Sequence, residues 1–192
     1  MQKRILLDGC SFTYGVGLER TQTLEHWFNE SGYDVINLSR PGKSNQAMAL
    51  DIYSNIDQCD IVVAGWTFSS RWHMQYYNQN IDFLASRKHV ELPHTLDSGV
   101  IEQSYKELHK SFYSLFDAGY WSQFSNMLID NTAALVTKHG KTGVFFSWEP
   151  RATMCDLYYP HIMSSHRLPD GHLNADGTAN LFNKLTTLIG QQ

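Results

Sequence analysis

Charge is scarce in this chain. Asp, Glu, Lys and Arg make up 18% of its 192 residues, against about a quarter in an ordinary globular domain. The positive share is the smaller one: 15 Lys and Arg stand against 19 Asp and Glu, for a net charge of −4. Nucleic-acid binders draw most of their affinity from clustered Lys and Arg, so nucleic acid is not an expected partner. Cysteine is rarer still. Cys10, Cys59 and Cys155 are odd in number and far apart, which suits neither a disulfide framework nor a zinc motif, and they read as free thiols. No apolar run approaches the ~20 residues of a membrane span, and Met1-Gln2-Lys3-Arg4-Ile5-Leu6-Leu7 meets Asp8 and Gly9 before a signal-peptide core forms. The expectation is a soluble cytoplasmic protein without a membrane partner. What the chain does hold is aromatic residues, 13% of the total, a balance that excludes disorder. Its length predicts one domain over 1–192.

Short apolar runs alternate with helical periodicity. Lys3 to Asp8 reads as a buried strand ending at the turn Asp8-Gly9-Cys10-Ser11. Thr21 or Thr23 then caps a helix bearing Leu24, Trp27 and Phe28, closed by Gly32. Asp34 to Leu38 predicts a second strand, Arg40-Pro41-Gly42-Lys43-Ser44 a turn, and Asn45 to Ile56 a helix with Ala47, Leu50 and Ile52 as its apolar members. Asp60 to Gly65 is apolar without interruption, as a strand covered on both faces should be. This βαβαβ order requires parallel pairing through right-handed crossovers. Periodicity fails from Trp66 to about Val100, which predicts an insertion or long loop over the strand ends. Two helices follow, Glu102 to Gly119 and Tyr120 to Gly140, then a strand at Thr142 to Trp148. Pro150 to Pro169 is irregular with room for a short fifth strand, and a helix from Ala175 or Asp176 to Ile189 turns Leu181, Leu185 and Leu188 inward. The sum is a doubly wound α/β domain with a parallel sheet of four to five strands and ligands at their carboxyl ends.

Four polar segments should meet on that rim: Ser11 after the first strand, Gly42 to Asn45 after the second, Thr67 to Arg71 after the third, and Asp170-Gly171-His172 before the last helix. A Ser, a His and an Asp far apart in sequence can assemble there as a nucleophile, its base and the group that orients the base. Each also has a plainer reading. A Ser at a strand end commonly caps a helix; Asp170-Gly171-His172 reads equally as a turn before a helix capped by Asn174 or Asp176; Arg71 can anchor a loop as well as bind an anion. Cys10 is an intrinsically better nucleophile than Ser11, but free cysteines are often buried. His161, His166, His172, Cys155 and Asp156 match no metal-ligand spacing.

The segments Gly9-Cys10-Ser11-Phe12-Thr13-Tyr14-Gly15, the Gly42 turn, the Gly65 loop and Asp170-Gly171-His172-Leu173-Asn174-Ala175-Asp176-Gly177 resemble, in order, the four blocks of the SGNH (GDSL-type) hydrolases. The resemblance runs nearly the length of the chain, and its last block is the most specific. It implies a flavodoxin-like three-layer α/β/α sandwich and hydrolysis of a small acyl ester, such as an O-acetylated carbohydrate, without cofactor or metal. In that pattern Ser11 is the nucleophile, His172 the general base and Asp170 the carboxylate that orients it; the oxyanion hole takes backbone N–H groups of Ser11 and Gly42. The chain departs from the pattern in three places. Cys10 stands where an aspartate usually precedes the nucleophile, Gly65-Trp66-Thr67 lacks the block-three asparagine, and Asp170 is two rather than three residues before His172. Thr67 by position, or Asn45 by chemistry, would replace the absent donor. Trp66 and Arg71 are the candidate substrate contacts, and the aromatics flanking the rim suit a sugar ring or an acyl pocket. The aromatics of the helical region, Phe112, Tyr113, Phe116, Tyr120, Trp121 and Phe124, read as core. A non-catalytic carbohydrate-binding or structural module, and an acyltransferase using the same triad, are the rival readings; homo-oligomerisation is left open.

Overall fold

Period-two alternation along the strands assigns each side chain to one of two cores. The computed structural model describes residues 2–76, 79–83, 98–115, 118–149, 155–158 and 164–191. Strands β1 (Arg4–Gly9), β2 (Asp34–Asn37), β3 (Ile61–Trp66), β6 (Thr142–Ser147) and β7 (Leu157–Tyr158) form one sheet in the order β2-β1-β3-β6-β7. Every neighbouring pair in it is parallel. Ile5 and Leu7 of β1, Ile61 and Val63 of β3, and Val144 and Phe146 of β6 pack against Leu24 and Phe28 of helix α2 (Leu24–Glu30) and Leu181 and Leu185 of α6 (Ala175–Gln191). The intervening residues, Leu6, Val62, Ala64, Trp66 and Phe145, face Met48 and Ile52 of α3 (Asn45–Asn55) and Ile129, Ala133 and Val136 of α5 (Ala118–Lys138). Helices therefore cover both faces, as the flavodoxin-like expectation requires.

Local chemistry places the helix ends. Thr23 caps α2 by accepting from His26 N–H at 3.3 Å, Ser44 caps α3 through Ala47 N–H at 3.3 Å, and Asn174 caps α6 through Gly177 N–H at 2.9 Å. Gly32, with φ +89°, closes the turn after α2. The short fifth strand appears as β7, paired with Phe146 and Ser147.

The poorly periodic stretch after Trp66 contains an antiparallel hairpin, β4 (Trp72–Tyr76) with β5 (Gln79–Phe83), and the start of α4 (Ser98–Leu115). The hairpin is held to α5 by aromatic contacts of Trp72 with Trp121 and Phe124. Of the apolar residues of α3, Met48 and Ile52 are buried and Leu50 is 56% exposed. Of the helical aromatics read as core, Trp121 is buried, but Tyr120 is 42% exposed, which corrects that expectation for Tyr120. Tyr113 is half-buried and donates its hydroxyl to Ser70 O; Phe116 and His161 lie outside the described residues. All three cysteines are free thiols. No helix among the described residues is long and apolar enough to cross a membrane.

Candidate active site

In a sheet ordered β2-β1-β3, the chain leaves β1 and β3 toward opposite edges, opening a crevice beyond their carboxyl ends. Ser11 stands there. It is 7% exposed and opens the four-residue helix α1 (Ser11–Tyr14), which Cys10 begins without any side-chain cap. Two glycines permit this helix to sit so close to the sheet. Gly9 and Gly65 are paired across β1 and β3, and a Cβ on either would lie within 2.1 and 2.5 Å of Thr13 Oγ1, respectively. Cys10, beside Ser11, is fully buried in the core under α2 and α6, so its thiol does not compete for the rim.

The second segment is tied directly to the end of β1. Leu38 N–H donates to Leu7 O at 2.9 Å and Arg40 N–H to Gly9 O at 3.1 Å. Arg40 to Lys43 then form a tight turn closed by Lys43 N–H to Arg40 O at 3.3 Å, with Pro41 and Gly42 at its centre and Gly42 at φ +79°. This is the type II pattern, in which the third residue needs the left-handed freedom of glycine and its own N–H stays outside the closing bond.

Asn45 and Thr67 meet, but to a different end from the one expected. The Asn45 amide is wholly buried: its Nδ2 donates to Thr67 O at 3.1 Å and to Ser125 Oγ at 3.2 Å, and its Oδ1 accepts from Thr67 N–H at 2.8 Å. Both amide hydrogens are engaged in joining α3, the end of β3 and α5. Asn45 is thus a bracket for the third loop, and the expectation that its amide turns into an oxyanion hole is corrected. Trp66 is corrected too. As the last residue of β3 it points into the core among Met48, Ile129 and Phe145 and is 0% exposed, so its ring offers no surface to a substrate. Arg71 is half-buried, with its guanidinium 5.2 Å from the Phe68 ring centre and Nη1 donating to Lys43 O at 3.4 Å. It pins the third loop to the second, the anchoring role weighed against anion binding.

The fourth segment is stapled by its own backbone. Leu168 N–H donates to His172 O at 2.7 Å, Gly171 N–H to Leu168 O at 2.9 Å, and Arg167 Nη1 to Gly171 O at 2.7 Å. Asn174 adds a bond from Nδ2 to Ser165 O at 2.6 Å. Within this loop His172 Nδ1 lies 2.9 Å from Asp170 Oδ2, an ion-pair contact off the line of the ring N–H, while His172 N–H donates to Asp170 Oδ1 at 3.1 Å. The His172 contacts hold the Asp170 carboxyl below its usual range. The His172 ring is tilted against Phe12, 4.9 Å between centres, and Phe12 stacks on Trp148 at 4.8 Å. The residue next to Ser11 thereby carries the contact with the histidine loop. Ser11 Oγ has no hydrogen-bond partner among the described residues, His172 included.

One cluster at this rim was not anticipated. Lys43 is fully buried, with Nζ 2.5 Å from Asp8 Oδ1, 2.5 Å from Asp51 Oδ2 and 2.8 Å from Leu38 O. Burial pushes the Asp8 carboxyl from 3.8 up to about 7, against the opposing pull of Lys43. The signal was present: Asp8 extends the apolar run of a buried strand, and a carboxylate there requires a cation.

No family model and no curated protein sequence matches the chain. Solved structures do match in fold. The crystal structure of TesA has a TM-score of 0.56 at 12% identity, covering 97% of this chain and 98% of that one. The psychrotrophic esterase EstA from Pseudoalteromonas sp., in a structure inhibited by monoethylphosphonate, also scores 0.56, at 10% identity over 99% and 98% of the two chains. The chain shares their fold, that of the SGNH hydrolases, over nearly its whole length.

Proposed function

On this shared fold, we propose that the chain is a serine esterase of the SGNH type, with Ser11, His172 and Asp170 as its triad. The observation that carries the reading is the position of Ser11: first residue of a helix at the crevice between β1 and β3, beside the Gly42 turn, with its neighbour Phe12 packed on the His172 ring. In the reaction Ser11 Oγ bonds to the acyl carbon while its proton passes to His172 Nε2, and the carbonyl electron pair moves onto oxygen. Asp170, on the Nδ1 side, stabilises the imidazolium that forms. Collapse of the tetrahedral species expels the alcohol, which takes the proton from His172; water then repeats the sequence on the acyl enzyme. Backbone N–H groups of Ser11 and Gly42 serve the oxyanion, and Thr67 stands at the third position. The Ser11–His172 bond closes in the substrate complex, as catalytic hydrogen bonds absent from a free enzyme commonly do.

Substrate class follows from the rim. Tyr14 and Phe68, 48% and 37% exposed, follow Ser11 and Thr67 in sequence and offer flat apolar faces, in a chain of which only 18% is charged. That favours a small acyl ester on a neutral group, an O-acetylated saccharide among them. A fluorophosphonate probe should label wild-type protein and leave Ser11→Ala unlabelled. Turnover of a short-chain aryl ester should fall at least ~10³-fold in Ser11→Ala and in His172→Ala. Equal labelling of wild type and Ser11→Ala removes the assignment.

The engagement of Asn45 with Thr67 and Ser125, which withdraws its amide from the oxyanion, favours one second reading: a non-catalytic module that binds saccharides through the same rim. It requires that no activated ester acylates the protein and that sugar binding survives His172→Ala.

A further inference from the structure

An ammonium group removed from water needs its hydrogens matched one for one. Lys43 achieves this with three acceptors from three places: Asp8 Oδ1 on β1, Leu38 O just past β2, and Asp51 Oδ2 on α3. Stability alone gives little reason for a lysine here, since buried ion pairs are often replaced by apolar residues without loss. The location supplies a reason. Lys43 closes the Arg40 to Lys43 turn through its N–H, its carbonyl receives Arg71, and it directly follows Gly42. Gly42 has a backbone that only glycine adopts readily, and the position of its missing Cβ has no atom within 4 Å. Packing therefore does not hold that peptide from its Cβ side.

We propose that Lys43 is a positioning residue of the esterase site, whose ammonium, gripped by Asp8, Asp51 and the Leu38 carbonyl, fixes the turn so that Gly42 N–H faces the oxyanion formed when Ser11 attacks. The proposal rests on the esterase reading. A donor set in advance acts on the transition state and not on the bound ester, so its misplacement lowers kcat and spares KM. With an aryl acetate, Lys43→Met should lower kcat by about 10 to 100-fold, within the range for loss of one oxyanion donor, at a KM within about 2-fold of wild type. Its near-UV circular dichroism should match wild type. The triple variant Asp8→Asn, Lys43→Met, Asp51→Asn removes the uncompensated carboxylates and should regain Tm without regaining kcat. A folded Lys43→Met with wild-type kcat overturns the proposal, and so does a triple variant in which kcat returns together with Tm. Should Lys43→Met not fold, Asp51→Asn, at the half-exposed end of the clamp, is measured instead. Its kcat should drop about 2 to 5-fold at constant KM, and an unchanged kcat overturns the clamp. Failure of the esterase reading is separable: wild type would then escape the fluorophosphonate and Ser11→Ala would turn over ester at the wild-type rate, which also removes the clamp's function.

Discussion

Asn45 joins three elements with a single buried amide, and truncation to alanine strips Thr67 N–H and Ser125 of a partner at once. With a net loss near 1 kcal/mol per bond and an added penalty for a buried unsatisfied donor, Asn45→Ala should cost about 2 to 4 kcal/mol, read from urea unfolding. Its polar type was visible in the sequence; its commitment was not, because which groups lie within 3 Å of a side chain depends on β3 and α5, 22 and 80 residues away. Trp66 teaches the same lesson with the opposite sign. It ends a strand that pairs on both sides, so the alternation of β3 turns it inward. Trp66→Ala should cost about 3 to 5 kcal/mol while leaving the KM of the folded protein unchanged, whereas a substrate contact would raise KM first.

At the scale of elements, helix α6 and the histidine loop are one unit. Gly177 lies in the first turn of α6, where a Cβ would come within 2.5 Å of His166 O. That atom is backbone and cannot move aside alone, so Gly177→Ala should push the 164–174 loop off its seat. The expected outcome is a loss of about 1 to 3 kcal/mol, together with slower fluorophosphonate labelling, because His172 moves with the loop. Wild-type labelling kinetics in a folded Gly177→Ala would separate the helix from the site. The capping residues Thr23 and Asn174 were legible because a cap is a local contract between a side chain and an N–H two or three residues on. The hairpin after Trp66 was not, since its stability comes from Trp72 resting on α5, a partner remote in sequence.

For the whole molecule, two carboxyl groups shape how stability follows pH, in opposite senses. Asp8, raised to about 7, keeps a proton in the folded state that the unfolded chain gives up above 3.8. Its stabilising contribution is full below that ordinary value and is lost as pH rises through about 7. Asp170, lowered by His172, contributes above the ordinary carboxylate pKa and loses its contribution as pH falls through its native value. Replacing Asp8 by Asn should therefore remove the first effect: the Tm of wild type minus that of Asp8→Asn should decline from about pH 4 to about pH 7 and level off above it. A flat difference would mean that Lys43 keeps Asp8 ionised throughout.

The sequence by itself determined the layer order and the chain's turning points. Apolar period, turn residues and helix caps act over a few neighbours, so the parallel sheet, its two helical faces and the segments that reach its rim could be read from strings such as Ile61-Val62-Val63-Ala64 and Asp170-Gly171-His172. Tertiary structure alone decided how each polar side chain is used once it arrives there. It buried Trp66, locked Asn45 onto Thr67, turned Arg71 back onto Lys43 and drove an ammonium into the core beside Asp8. Those outcomes depend on partners tens of residues distant, and on the rule that a polar group shut away from water takes whichever partner the fold has placed beside it.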